Sequence, residues 1–468
     1  MKKILLFITL ITIHEAQARP ISNVALFRRC YSLITQNFPG LNHPVLANVR
    51  AGRANPIDAC LQILDKAQIT SSGTVANTAD TEARQILNNF QSLHYSWMDS
   101  RNFDSSQPKL LNDATKDLYD IATPAYYYTR AMFKSDMKFS EIFTTSAIYG
   151  PVRTNMNLTN GAFTNRPLSD WHLKIKEFVP TGDLIGVRSI APYSVSLTLP
   201  TATDRNKAAF GETATLYKNY GGGVIGATPY INISIRNGSL IRSNAGPDMP
   251  RKWSKAVLND FMCRELPVLR TADITKYVAA SSNITFRKSE SCVRCHATMD
   301  QMGATIRHVA LTNYESPYTQ PFPIMILNYT TRLPAEASWP IIQDSSYYLR
   351  PTTGRFVFRT YEGTAIDMPV ASTQALGEQI SQLKDPYVCA AKRYYQYFMG
   401  VDVPMKDFSD PDPSSGYKLS ATEQKHWRQI VKLGLELKSH QSVRKLIEAI
   451  LRQASFRESD FDNNGDLL

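Results

Sequence analysis

The chain has 468 residues, 43% of them apolar, and its 52 Lys and Arg against 41 Asp and Glu give a formal charge of +11. That length and apolar content support a sizeable core and two or three domains, which excludes a disordered or fibrous chain. The positive charge is spread along the sequence, the pattern of a solvated surface that also suits an acidic redox partner or an anionic membrane surface.

The N-terminus carries Lys2-Lys3, then an apolar run from Ile4 to Ile13, then Ala16-Gln17-Ala18 as a small-x-small site. This order predicts a signal peptide over 1–18, cleaved after Ala18. The apolar run is too short to span a bilayer, so no transmembrane segment is expected, and no cysteine at the cleavage point could carry a lipid. The product is expected to be periplasmic or secreted, where nucleic acid is excluded as a partner.

Residues 19–150 read as a helical N-terminal domain, with apolar residues at helical spacing over Leu26–Ile34, Ile57–Leu64 and Ile86–Leu93. The polar stretch Gln68–Ala83 reads as an exposed connection, and Asp117–Tyr149 as further helix whose aromatic residues serve the core. Residues 151–250 form a mixed loop and strand region, with alternating runs at Val195–Leu199 and Tyr230–Ile235. Gly221-Gly222-Gly223-Val224-Ile225-Gly226 matches G-x-G-x-x-G, but it leads toward an apparent strand instead of opening a helix, so a turn is expected. Residues 251–468 form the third region, helical from Arg251, with a strand at Phe356–Phe358. At its end, Ser420-Ala421-Thr422-Glu423 fits a capping box, and Val443, Leu446, Ile447, Ile450 and Leu451 form an amphipathic stripe. The fold class is mainly α with minor β.

Cys292-Val293-Arg294-Cys295-His296 is the stretch that carries chemistry. C-x-x-C-H is the attachment site of c-type haem: two thiols at this spacing reach the two vinyl groups of one porphyrin, and the adjacent imidazole becomes the proximal iron ligand. Zinc usually needs a second Cys or His pair, and the sequence has no other C-x-x-C and no H-x-x-x-H. A thioredoxin-like motif needs a βαβ setting that the neighbourhood does not suggest. The remaining Cys30, Cys60, Cys263 and Cys389 are even in number, as expected for one or two disulfides in an oxidising compartment. Cys30 with Cys60 is the first pairing, since both lie between Leu26 and Lys66; Cys263 and Cys389 could pair only through the fold. The bland alternative for all four is small buried hydrophobes.

The sixth iron ligand decides between electron transfer and small-molecule chemistry. Met299 and Met302 follow His296 too closely to reach the opposite porphyrin face. Met368, in a loop-like context 72 residues downstream of His296, is the leading candidate, ahead of His308 and Met325; an open site is the alternative. Arg287, Lys288 and Arg294 are candidates to neutralise haem propionates, against a reading as surface charge. Trp253 is a candidate for the haem edge or the core.

Arg251-Lys252-Trp253, Cys263-Arg264-Glu265-Leu266-Pro267 and the run from Cys292 to Gly303, with Met299-Asp300 after the haem motif, resemble the planctomycete-type cytochrome c proteins. In order with them, Phe139–Thr145, Tyr387–Gly400 and Ala454–Arg457 resemble that family's upstream and terminal segments, so the likeness runs over about residues 115–460. Gln301 stands where the family has Pro, and Asp402 follows Gly400-Val401 where an Arg is usual. The resemblance implies one covalent haem c in residues 251–468 and gives no substrate.

The sequence therefore points to an exported monohaem c-type cytochrome that passes electrons to a redox partner, with Cys292, Cys295 and His296 holding the haem. An electron carrier needs only about 100 residues, and this chain is several times longer. The alternatives are a haem-dependent oxidoreductase, or a non-enzymatic envelope protein using haem as sensor or staple. An electron-transfer protein is favoured over an enzyme, because no catalytic constellation stands out.

Overall fold

A computed structural model describes residues 20–98, 122–154, 182–190, 194–198, 213–234, 245–315, 321–336, 339–342, 345–411 and 418–457. The segment expected to be a signal peptide, with its cleavage site, lies outside these residues.

Four helices open the described chain: α1 (Asn23–Thr35), α2 (Pro44–Arg50), α3 (Pro56–Asp65) and α4 (Thr81–Ser96). Local signals start three of them. Ser22 caps α1, Asn55 caps α3 ahead of Pro56, and Asp80 caps α4, each accepting backbone N–H bonds that the first turn leaves open. Cys30 and Cys60, both buried, join α1 to α3 as a disulfide. The connection before α4 is less exposed than expected. Ile69 and Val75 are buried, Val75 N donates to Ile185 O at 2.9 Å, and an added Cβ on Gly73 would meet Val187 O at 2.3 Å. Two apolar side chains within a polar stretch suffice to dock it.

The helix expected to run to Tyr149 is broken into α5 (Thr123–Phe133) and the single turn α6 (Glu141–Thr144), and Tyr149 lies in strand β1 (Ile148–Arg153). Its aromatic residues are core as expected: Tyr126, Tyr127, Tyr128, Phe133, Phe139 and Phe143 are all buried. β1 pairs antiparallel with β2 (Leu184–Ile190), and β3 (Ser194–Thr198) with β4 (Thr213–Tyr217).

The glycine stretch forms a tight turn whose glycines face protein. Gly222 has φ 79°, and a Cβ there would meet Thr373 O at 2.4 Å; at Gly226 it would meet Gly221 O at 1.7 Å. Close backbone approach within the fold accounts for the pattern without a nucleotide. The alternating run Tyr230–Ile235 is not a strand. It lies largely in α7 (Thr228–Ser234), where Tyr230 packs edge-on against Phe261 and donates to Asp260 at 3.1 Å. Tertiary packing overrides strand propensity here.

Then come α8 (Ala245–Met262), α9 (Thr271–Ile274), α10 (Glu290–Gly303), the hairpins β5 (Val309–Glu315) with β6 (Pro321–Asn328) and β7 (Gly354–Arg359) with β8 (Ala365–Val370), and helices α11 (Thr373–Gln382), α12 (Asp385–Met399), α13 (Ala421–His440) and α14 (Val443–Leu451). The described chain is thus mainly helical with four two-stranded sheets. The Ser420–Glu423 capping box forms, and the five-residue apolar stripe of α14 is buried throughout.

One buried apolar cluster extends from Leu26 to Phe456. Elements far apart in sequence are also joined around it: Asn89 in α4 donates to Leu33 O at 2.8 Å and to Tyr397 in α12 at 3.1 Å, and Arg444 in α14 grips Asp65 in α3 through two bonds of 2.6 and 3.0 Å. His94, fully buried, joins α4 to both α5 and α12 through Thr129 at 2.8 Å and Tyr394 at 2.7 Å. The second pair of cysteines, Cys263 and Cys389, also forms a disulfide, tying the end of α8 to α12.

Asp385 opens α12 fully buried. Its Oδ1 accepts from Tyr361 N at 3.1 Å, while Oδ2 has no hydrogen-bond partner among the described residues. Burial raises its carboxyl to about 6, although Arg264 pulls the other way. The native state therefore binds more protons than the unfolded chain between about pH 4 and 6, so this group's contribution to stability falls as pH rises through that window. Each tenfold gain in proton affinity is worth roughly 1.4 kcal/mol, so the effect is about 3 kcal/mol. Asp385→Asn, which keeps the acceptor for Tyr361, is expected to gain that amount relative to the parent between pH 4 and pH 7. Urea unfolding at the two pH values checks it, and parallel changes in the two proteins would sink the assignment.

Candidate functional site

The C-x-x-C-H residues sit in the first turns of α10, where Glu290 complements the helix dipole and the chain enters from Ser289. At 100° per residue, Cys292, Cys295, His296 and Met299 take the i, i+3, i+4, i+7 positions of one face. Val293, Ala297 and Met302 are fully buried on other faces, which anchors the helix against the core. Gly303 fits closely against α8, since a Cβ on it would meet Pro250 Cβ at 2.8 Å, and Ser254 donates to Met299 O at 3.0 Å. Packing thus leaves the cysteine face outermost.

Cys292 is exposed and Cys295 half-buried; both are free thiols in a chain whose other four cysteines are paired. Burial pushes the Cys295 thiol above its ordinary value, with Arg294 and Lys255 opposing. A redox-active C-x-x-C needs the opposite, a thiol whose acidity is increased by its surroundings.

His296 is held on two sides. Its Nδ1 lies 3.3 Å from Asp300 Oδ1, and its ring stacks on Phe286 at 4.0 Å between centroids and 20° between planes. Asp300 is fully buried and itself fixed: Arg251 grips it with Nε at 2.6 Å and Nη2 at 3.1 Å, and the Trp339 indole donates to Oδ2 at 3.1 Å. Arg251 also lies over the Phe286 ring at 5.2 Å. With Nδ1 engaged by a carboxylate, Nε2 is the nitrogen left for a metal, the arrangement common among metal-ligating histidines. Two free thiols and an oriented imidazole on one outward face fit the donor set of a haem c.

Met368 lies in strand β8, not in a loop, and pairs with Phe356 of β7 on the side packed against the core. Its neighbour Asp367 points to the other side of the hairpin. There it accepts from Tyr277 at 3.0 Å and Arg355 at 2.7 Å, and Tyr277 meets the Trp339 ring edge-on at 5.6 Å. Burial raises the Asp367 carboxyl, but the bonds from Lys276, Arg355 and Tyr277 outweigh it and hold the group below its ordinary value. The network reaching His296 thus includes Asp367, and Met368 is turned away from it.

Arg294 projects from the far side of α10, about 200° around from Cys292. Its Nε donates to Leu269 O at 3.0 Å, so it is not brought to the thiol face. Arg287 covers Trp339 at 5.0 Å, near that face, and Lys288 is exposed. His308 Nε2 is engaged by Arg350 O at 2.7 Å. Met325 lies in β6, and its side chain is outside the described residues. Trp253 is core, fully buried with its indole donating to Ile225 O at 2.8 Å.

The sequence names Asp300 only within the Met299-Asp300 run that follows the motif, with no role at the site, and does not point to Phe286 or Trp339. For Asp300 a signal existed, its i+4 spacing from His296 on a helix; Phe286 and Trp339 reach the site only through tertiary packing. No family model, curated protein or solved structure matches the chain.

Proposed function

We propose that the protein is an exported monohaem c-type cytochrome, acting in the periplasm or as a secreted protein and passing electrons to a redox partner. The observation that carries this reading is the outward face of α10, where Cys292, Cys295 and His296 stand together, the thiols free and the imidazole backed by Asp300. Cys292 and Cys295 would form the thioether bonds, and His296 Nε2 would ligate the iron. When bound, haem c supplies a one-electron iron couple. Asp300 fixes the tautomer and orientation of His296, Phe286 restrains the ring, and Arg251 with Trp339 keeps Asp300 in place. The likeness to planctomycete-type cytochrome c proteins supports the same assignment.

A second reading, a haem oxidoreductase with an open distal position, is favoured by the packing of Met368 toward Phe356, away from the His296 network. A ferrous-CO difference spectrum separates the two, because an open position takes up CO and a doubly ligated iron does not.

The root test is expression with the c-type maturation machinery, followed by a pyridine haemochrome spectrum and haem staining after denaturing electrophoresis. We expect covalent haem in the parent, none in Cys292→Ala/Cys295→Ala, and an altered spin state in His296→Ala. A parent chain without covalent haem ends the proposal.

A further inference from the structure

On the side of α10 away from the thiols, the segment following α8, helix α12 and the chain after it enclose a cleft of about 1320 Å³. Its lining carries twice as many Lys and Arg as Asp and Glu. Three of its four acids already serve neighbours: Asp407 and Asp410 lie 2.6 and 3.9 Å from Arg270, and Asp402 pairs with Lys392, while Glu265 is the fourth.

Arg264 stands apart from these pairs. It is only 4% exposed, it borders the cleft, and its Nη1 has no hydrogen-bond partner among the described residues. Burial lowers its tendency to hold a proton, and the charges of Asp385 and Asp407 oppose that. Neither acid answers Nη1: Asp385 Oδ2 is itself unpartnered, and Asp407 bonds Arg270 and Ser409. A guanidinium donor left unsatisfied out of water is costly, and a ligand oxyanion is what would satisfy it.

The other cations reach the cleft from different walls. Arg294 comes from α10, Lys392 and Arg393 from α12, and Lys406 from the segment beyond it. We propose that this cleft binds a small oxyanion carrying at least two acidic groups, one held by Arg264 and another by Arg294 and Lys406. The recess of the only slightly exposed Arg264 favours a small molecule over the surface of an acidic protein. The inference does not depend on haem, since the cleft and the thiol face lie on opposite sides of one helix.

The test is calorimetric titration of the full-length protein with citrate, pyrophosphate and polyglutamate at constant ionic strength. Saturable 1:1 binding of citrate identifies a polycarboxylate site, and of pyrophosphate a phosphate site; either supports the proposal. Loss of one buried charge-assisted contact in Arg264→Gln should weaken binding about tenfold or more. Arg264 lies in the core, so Arg294→Gln/Lys406→Gln serves as a second variant, expected to weaken binding several-fold while Lys425→Gln on α13 leaves it unchanged. Absence of saturable binding by both small anions, unchanged affinity in the Arg294/Lys406 double variant, or binding of polyglutamate alone overturns it.

Discussion

Alanine at both Cys263 and Cys389 is expected to remove about 5 kcal/mol of stability, the larger of the two disulfide losses in the chain. The bridge closes a loop with a sequence separation of 126, against 30 for Cys30–Cys60. In the chain-entropy account the constraint on the unfolded state grows with the logarithm of loop length, giving roughly 4.9 kcal/mol for the longer loop and roughly 3.6 for the shorter. Native contacts should widen the gap. Cys263 follows α8 with φ 52° and begins the segment whose Leu269 O accepts from Arg294 of α10, while Cys389 is buried in α12. Opening the bridge therefore loosens the support of α10 as well as the chain. Denaturant unfolding of the two double variants, side by side, measures the difference; an equal or smaller loss for Cys263/Cys389 would refute the loop-length argument. Treating the parent with reductant should reproduce the combined loss.

That bridge also shows what a sequence can disclose. Cys30–Cys60 was legible because both cysteines belong to one short helical segment, whereas the Cys263–Cys389 distance depends on how α8 meets α12, which no local pattern encodes. The same boundary runs through the secondary structure. Helices with caps and a clear apolar stripe, such as α13 and α14, are written in their own residues. Tyr230–Ile235 alternates like a strand and is largely helical, because Phe261 and Asp260 receive Tyr230. Tyr149 follows an aromatic-rich helix and is a strand residue, because β2 offers it a partner in Ser189.

At the candidate site, the motif announces three residues and the fold adds their support. Met368 illustrates the limit of counting residues: its spacing from His296 suggested a ligand, but alternation along β8 gives the side toward Tyr277 to Asp367. Arg294 illustrates it on a helix, where two residues from Cys292 is nearly the opposite side.

Asp300→Ala is expected to cost about 3–5 kcal/mol, because it leaves the Arg251 guanidinium, with its side chain 16% exposed, without its buried partner. Trp339 loses the acceptor of its indole N–H in the same step. Asp300→Asn keeps the shape and one acceptor oxygen but removes the charge and turns an amide N–H₂ toward donors, so it should fall between parent and alanine. The two variants separate scaffolding from tuning. In the proposed cytochrome, the Asp300 carboxylate at 3.3 Å strengthens His296 as an electron donor, which favours the oxidised iron. Asp300→Asn should therefore raise the midpoint potential, measured by spectroscopic redox titration of the folded variant. A drop in stability with an unchanged potential would make Asp300 a scaffold residue alone. A raised potential would make it the residue through which Arg251 and Trp339, distant from His296 in sequence, set the behaviour of the iron.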